Sequence, residues 1–420
     1  MRGPPAGPGP GPGPGPGPSL RRAQLLTRAL ARAPSLALLL LAALAPAAAY
    51  ECSAHPWIDD TVKHWFTPAY RVAQESKMTV NESLDTIAAI KWAHPTGKSM
   101  VHLNFNKTTN LYDLSFEVLH KHNQPHKPEG MQRIIERAIQ QHNADLVRAL
   151  KGRNIRFIFG TEDFPILYPR LKTAVPSFQM CADTMRIDVP VPDFTFEVYH
   201  QTRYRNTTWE AVRQLLLLKA GQMPWAHRER ALFMRGDAGV GYRKTLIPVF
   251  EEVQSNGTDT QLFGVRSDVH STGFYVSDPQ RKFTWLDNWC QHRYLLHTAG
   301  FSYSASLKYK LACGSLVFAF EGAYREFYYP ALKAGVHYVS LNESSRDEIL
   351  NKIAPQIKTA IKAAEALPDG PAMAAAARDF ALTQLTQEAL SCYWYRAILA
   401  YSKLFFAPNS AFVPAEVTFN

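Results

Sequence analysis

Residues 294–318 read YLLHTAGFSYSASLKYKLACGSLVF. An apolar run gives way to a loop of small and hydroxylated residues, then to a short helix and a second apolar run, which is the pattern of half a nucleotide-binding α/β unit. The loop from Gly300 to Ser306 sets glycine, serine and alanine where backbone must approach a ligand closely, so Gly300, Ser302, Ser304 and Ser306 are candidate binding positions. Free N–H groups at the start of the helix, together with the positive end of its dipole, suit a diphosphate. Lys308 lies one turn in and adds charge, and Gly314-Ser315 opens the strand Leu316 to Phe320. An ordinary βαβ crossover with a polar cap has the same pattern, so the segment alone leaves both readings open.

Outward from this stretch, 420 residues with 46% hydrophobic content suffice for two α/β cores. Residues 1–49 stand apart: a Pro-Gly repeat, then Arg21, Arg22, Arg28 and Arg32, the apolar run Leu36 to Ala45, and Ala47-Ala48-Ala49 before Tyr50. Basic, short apolar and small-residue regions in that order predict a secretory signal peptide, with an uncleaved signal anchor and a plastid transit peptide as alternatives. Ten apolar residues are too few for a stable span, so membrane attachment is expected only if the signal stays uncleaved. Asn81, Asn106, Asn206, Asn256 and Asn342 each begin an N-x-[ST] triplet, which agrees with a secretory route and marks five candidate N-glycosylation sites.

Half of the formal charge of +10 lies in the leader, whose five arginines face no acid. The remainder holds 41 basic against 36 acidic residues, scattered rather than striped, which argues against nucleic acid as a partner. Five cysteines, Cys52, Cys181, Cys290, Cys313 and Cys392, form no C-x-x-C pair and hence no zinc signature. In an oxidising compartment they are expected to pair and leave one over.

The organisation reads as follows. A helix over Trp57 to Ser76, a strand Val101 to Phe105, a helix Met131 to Leu150 and a strand Arg156 to Phe159 describe an α/β domain over residues 50–200. A second, over 201–385, opens with the helix Trp209 to Ala220 and includes strands Ala231 to Met234, Gln261 to Val265 and Leu316 to Phe320. Helices Arg346 to Ala366 and Met373 to Phe406 follow, split by Pro368-Asp369-Gly370, and residues 386–420 form a C-terminal helix and tail returning to the N-terminal part. Two such domains imply a cleft between them.

Within the second domain FMRGDAGVGYRKTLI, residues 233–247, fails as a P-loop because Tyr242-Arg243 intervene before Lys244-Thr245. What remains is a strand, a glycine-rich turn and two arginines, Arg235 and Arg243, each able to clamp a phosphate with its planar fork; a solvated flexible loop is the alternative. In the first domain Asp163 ends a strand, where α/β folds present side chains to a cleft, and its carboxylate is a candidate general base on a hydroxyl. It serves equally as a cap for the turn before Pro165. Glu162 is expected to point the other way. No H-E-x-x-H or D-x-D appears, and His120, His122 and His126 fall in a Pro-rich stretch expected to be solvated loop, so no metal is called for. No G-x-S-x-G elbow is present.

Taken in order, GTEDFP (160–165), PDFTF (192–196), PW (224–225), MRG with Arg235 and Arg243, the block from Trp289-Cys290 through 318, and EFYYPALKAGVHYVSL (326–341) resemble glycosyltransferase family 90, over about Gly130 to Tyr401. That family contains the Rumi-type protein O-glucosyltransferases and the capsule xylosyltransferases. The resemblance implies a GT-B type α/β fold: two Rossmann-like domains facing a cleft, with C-terminal helices. It implies metal-independent, inverting transfer from a UDP-sugar, UDP-glucose or UDP-xylose, to a protein or glycan hydroxyl. The family's catalytic aspartate falls on Asp163 and its phosphate-binding arginine on Arg243, with Arg235 nearby. The family's cysteine positions imply Cys290–Cys313 and Cys52–Cys392 disulfides, with Cys181 free. Rumi-type members carry an arginine where this chain has Ser306, so the loop is closer to plant-like branches, and a lectin-like or scaffolding role on the same fold stands as the alternative. The expected location is the ER or Golgi lumen; the chain shows no K-D-E-L-type signal, which leaves export open.

Overall fold

The computed structural model describes residues 52–91, 97–199, 207–272 and 283–407. The leader and the sequon at Asn206 lie outside the described residues.

Two five-stranded sheets organise the chain. Helices α1 (Trp57–Gln74) and α2 (Val80–Ala89) come first. A capping box between Thr79 and Glu82 starts α2, satisfying two N–H groups that its first turn leaves unpaired. Strands β1 (Lys98–Asn106) and β2 (Leu111–His120) form an antiparallel hairpin, α3 (His126–Leu150) follows, and β3 (Ile155–Gly160) returns antiparallel to β1. The two-residue strands β4 (Phe178–Gln179) and β5 (Val189–Pro190) then add in parallel, giving the order β2-β1-β3-β4-β5. This sheet is therefore mixed, where a Rossmann-like sheet would be parallel throughout.

The second sheet is wholly parallel. After α4 (Trp209–Gln222), β6 (Glu229–Gly236) leads through a glycine turn into α5 (Arg243–Ser255); α6 (Asp259–Phe263) and β7 (Arg266–Ser271) follow. Then come β8 (His292–His297), α7 (Leu307–Ala312), β9 (Leu316–Glu321) and β10 (Val339–Asn342), in the order β10-β9-β8-β6-β7. The short helix Arg346–Glu348 continues through a π turn, Ile349–Ile353, into α8 (Ala354–Glu365). Beyond the breaker come α9 (Ala372–Asp379), a second π turn, Phe380–Gln384, and α10 (Gln387–Phe406).

Two elements differ from the sequence reading. Gln261 to Val265 is not a strand: most of it is the end of α6, which Gly264 closes at φ 83° with its N–H on Thr260 O. Asp259 fixes that turn, accepting from the N–H of Thr260 at 2.8 Å and of Ser267 at 2.6 Å. The single helix expected over Met373 to Phe406 breaks at Leu385. There Thr386 caps α10 and the Leu385 carbonyl accepts from the Trp209 indole at 2.6 Å.

One large core runs from α1, α3 and the first sheet to α7 and α10, where Phe157, Phe178, Trp394 and Tyr401 pack ring against ring. A smaller core joins the second sheet to α5 and α8. Cys52 is bonded to Cys392 and Cys290 to Cys313, while Cys181 is free and buried. On the chain-entropy model the 23-residue loop closed by Cys290–Cys313 is worth about 3 kcal/mol. Among the described residues no helix is long and apolar enough to cross a membrane. Of the sequons, Asn81, Asn256 and Asn342 are exposed, and Asn106 is half-buried in the hairpin turn with its amide on Asp113.

Candidate active site

The order of the second sheet makes β6 and β8 neighbours although β7 separates them in sequence. The chain reverses its direction across the sheet at that point, and the carboxyl ends of such a strand pair leave a crevice. Two loops rise there: Asp237 to Tyr242 after β6 and Thr298 to Ser306 after β8. They meet closely, since a Cβ on Gly241 (φ 50°) would lie 2.1 Å from the carbonyl oxygen of Gly300. Only glycine fits.

Arg243, the first residue of α5, reaches across this junction. Its Nη2 donates to Ser304 Oγ at 3.0 Å and to Thr298 O at 3.4 Å, and Ser304 Oγ lies 3.0 Å from Ser306 Oγ. Its Nε is buried without a hydrogen-bond partner among the described residues. Burial lowers the guanidinium pKa, against support from Tyr199 and Asp237, but an arginine so placed remains a cation. A largely buried cation with one unpaired buried donor, beside the linked hydroxyls of Ser304 and Ser306, suits an oxyanion. The thirteen-residue α5 lends its positive end to the same place, whereas α7 has only six residues.

The other predicted positions divide. Ser304, Ser306 and Gly300 share the Arg243 junction, though the Gly300 N–H is turned inward onto Tyr303 O at 3.3 Å. Ser302 is buried against the Cys181 thiol. Arg235 binds both carboxylate oxygens of Asp268, at 2.9 and 3.0 Å, and the Asp268 carbonyl at 2.6 Å. Its fork is thereby taken up on the β7 side of the sheet. Lys308 is fully buried, donates to Thr195 Oγ1 and the Ala305 carbonyl, and sits 4.2 Å from the centre of the Phe196 ring. It joins the loop–helix unit to the PDFTF segment rather than facing Arg243's hydroxyls.

Asp163 follows β3 by three residues. Its side chain is 44% exposed, and Oδ1 accepts from Lys127 Nζ at 2.9 Å. Glu162 turns elsewhere: its Oε1 accepts from the Gly97 N–H at 3.1 Å and lies 4.0 Å from His122 Nε2. Burial, and next the charge of Asp163, push the Glu162 carboxyl up to about 7. The Asp163 segment touches the second-sheet loop in two ways. Phe164 packs edge-on to Phe301 with ring centres 4.9 Å apart, and the Cys181 thiol, which accepts a hydrogen bond from Ser302, donates to Asp163 O at 3.2 Å.

Several participants escaped sequence reasoning. Lys127 lies 36 residues from Asp163, and nothing local marks it. Asp193 caps the turn Phe194–Phe196 and accepts from the Tyr303 hydroxyl, locking PDFTF to the loop. Beside the junction a narrow cleft opens between the ends of β8 and β9, lined by Tyr303, Ser304, His297, Glu321, Arg325 and Tyr329. The stretch expected to be solvated loop is only partly so: His120 ends β2 and His126 opens α3, and the His122 side chain is only 9% exposed, burial lowering its pKa. Among the described residues the His/Cys/Asp/Glu grouping with metal-ligand spacing is Cys52, His142 and Cys392, and its two sulfurs are joined in the disulfide.

Comparison with known sequences bears on this geometry. The sequence model of Glycosyl transferase family 90 matches residues 126–414, a span that holds Lys127, Asp163, Arg243 and the Gly300 loop. Protein O-glucosyltransferase 1 of Bos taurus is 25% identical over 264 residues, covering 60% of this chain and 62% of the relative. The Homo sapiens protein of the same name is 25% identical over 264 residues with the same coverage. The O-glucosyltransferase rumi of Drosophila pseudoobscura pseudoobscura is 29% identical over 201 residues, 47% of this chain and 46% of the relative. The chain thus spans less than two thirds of the length of the relatives it matches.

Proposed function

Because the chain belongs to Glycosyl transferase family 90, we propose that it is an inverting glycosyltransferase moving glucose or xylose from UDP to a hydroxyl of a protein or glycan. Arg243, beside Ser304 at the switch-point crevice with its Nε buried and unpaired among the described residues, carries this reading. In the proposed reaction Asp163 takes the proton of the acceptor hydroxyl as its oxygen attacks the anomeric carbon. The bond from that carbon to the diphosphate breaks, and the electron pair leaves with UDP. Arg243, the Ser304 and Ser306 hydroxyls and the start of α5 meet the charge that grows on the leaving phosphate, donors fixed before the reaction begins. Arg243 supplies the countercharge that a divalent ion supplies elsewhere, so the transfer proposed is metal-independent.

Arg235, occupied by Asp268, supports the crevice from behind in this scheme. The two sheets are taken to act as the halves of a GT-B enzyme, acceptor side on the first and nucleotide side on the second. The names of the relatives favour a protein acceptor. The leader and the two disulfides favour the secretory lumen, where such bonds persist. Incubation with a panel of UDP-sugars, with peptide and glycan acceptors and without, tests the proposal. UDP release with UDP-glucose or UDP-xylose is expected, and release with no member of the panel would exclude the enzyme in favour of a binding protein.

A further inference from the structure

We propose that Lys127 is a positioning residue for this chemistry, holding one oxygen of Asp163 so that the other is presented to the acceptor hydroxyl. The inference rests on the reading of Asp163 as base.

Lys127 is the second residue of α3. A cation in the first turn faces the positive end of the helix dipole, so helix stability gives no reason for it to be there. Its partner does: Nζ lies 2.9 Å from Asp163 Oδ1. The two members of the pair differ in exposure, 10% for the lysine side chain and 44% for the aspartate. The cation is inside and the carboxylate looks out, the arrangement of a group held from behind with its reactive face open. Among the described residues the Asp163 side chain has no other hydrogen bond, which leaves Oδ2 for a substrate.

The lysine is itself held. One turn on, Gly130 lies so close to the PDFTF turn that a Cβ there would meet Phe194 Cβ at 2.9 Å, and Lys127 Nζ is 5.6 Å from the centre of the Phe194 ring. The start of α3 is thereby keyed to the segment that Asp193 and Tyr303 lock to the second-sheet loop. The neighbouring acid does not compete. Glu162 is occupied by the Gly97 N–H, and His122 accepts from the Gln124 N–H on Nδ1, which leaves the proton of the neutral ring on Nε2, toward Glu162. The groups facing Asp163 are Lys127 from α3, His122 from the segment before it, Glu162 from its own strand end, the Cys181 thiol, and the Tyr199 and Tyr303 phenols. Of these only Lys127 is a cation at neutral pH.

The test compares Lys127→Met and Lys127→Arg with wild type, following UDP release from UDP-glucose and UDP-xylose, UDP affinity by calorimetry, and melting temperature. Lys127→Met should lower kcat by about 10- to 100-fold with UDP affinity and melting temperature unchanged. KM for the UDP-sugar should stay at the wild-type value, so that the loss falls on kcat, as expected of a group that acts on the acceptor's proton. Lys127→Arg should recover most of the rate. Wild-type kcat in Lys127→Met would overturn the assignment, as would a loss that falls on KM, or one that tracks a lowered melting temperature and is not recovered by arginine. Asp163→Asn separates the two claims: if it turns over like wild type, Asp163 is not the base and the reading beneath the inference falls.

Discussion

Asp163 and Arg243 are the opposite charges of the candidate site, and the fold houses them differently. The arginine sits against the Ser304 hydroxyl and the Thr298 carbonyl at the junction of two glycine-bearing loops, with its Nε buried and unpaired among the described residues. The aspartate stands nearly half exposed, with a lysine behind it and a second carboxyl beside it. A fixed, desolvated cation suits binding an anion whose charge increases during reaction. An exposed carboxylate with a tethered oxygen suits a proton transfer with a partner that arrives from solvent. In the proposed reaction the Arg243 side would thus supply strength of attraction and the Asp163 side control of a proton.

The comparison breaks most sharply at Asp163. Asp163→Asn keeps the shape and the contact with Lys127 but cannot take a proton, so transfer should fall by roughly 10²- to 10⁴-fold. UDP affinity, measured by calorimetry, should hardly change. Near wild-type transfer in this variant would move the base elsewhere.

Arg243→Ala should do the reverse, weakening UDP binding by about 2–3 kcal/mol, the scale of charge-assisted bonds to a desolvated group. Chelators should leave both binding and transfer intact. Transfer abolished by EDTA, with UDP affinity unchanged in Arg243→Ala, would show that a metal rather than this arginine holds the diphosphate.

The junction beneath Arg243 gives the third test. Gly241→Ala places a methyl 2.1 Å from the Gly300 carbonyl at a positive φ, forcing the two loops apart. A loss of about 1–3 kcal/mol in stability is expected, read as a lowered urea midpoint. UDP affinity should fall with it, whereas Gly257→Ala, also at positive φ but with open space at its Cβ, should cost stability alone. Equal UDP affinity in both variants would detach the junction from the binding site.

How much of this was legible in sequence follows from how local each feature is. The strand–loop–helix–strand of residues 294–318 declares itself because its small residues and apolar runs are adjacent. So do β6, the glycine turn and Arg243. Arg235 has the same local signature, a guanidinium after a strand, yet its partner Asp268 enters through β7, in parallel register one strand away. Lys308 was equally ambiguous: its partner Thr195 lies 113 residues back, so charge near a loop looked like charge toward a phosphate. The mixed character of the first sheet is not legible because strand direction is not written locally: β3 returns antiparallel to β1 from across α3, and β2, largely exposed, pairs antiparallel on the other edge. α6 was misread because its helical turn is set by one aspartate and one glycine, features that also punctuate strands.

The smallest effect concerns the acid that sets the acceptor side apart. Burial, and then the charge of Asp163, hold the Glu162 carboxyl at about 7 in the folded chain against an ordinary value of 4.5. The folded state therefore keeps this proton over a range where the unfolded chain has released it. Stability from this group is fully present below pH 4.5 and is lost as pH rises through about 7. Glu162→Gln fixes the neutral form and removes that loss. Between pH 5 and pH 8 wild type should therefore lose about 1–2 kcal/mol more unfolding free energy than Glu162→Gln, measured by urea denaturation at both pH values. Arg243 keeps its charge over that interval and contributes no such slope. Identical pH dependence in the two proteins would mean that Glu162 is already ionised at pH 5, and the acceptor side would then carry two fixed negative charges and no titrating neighbour.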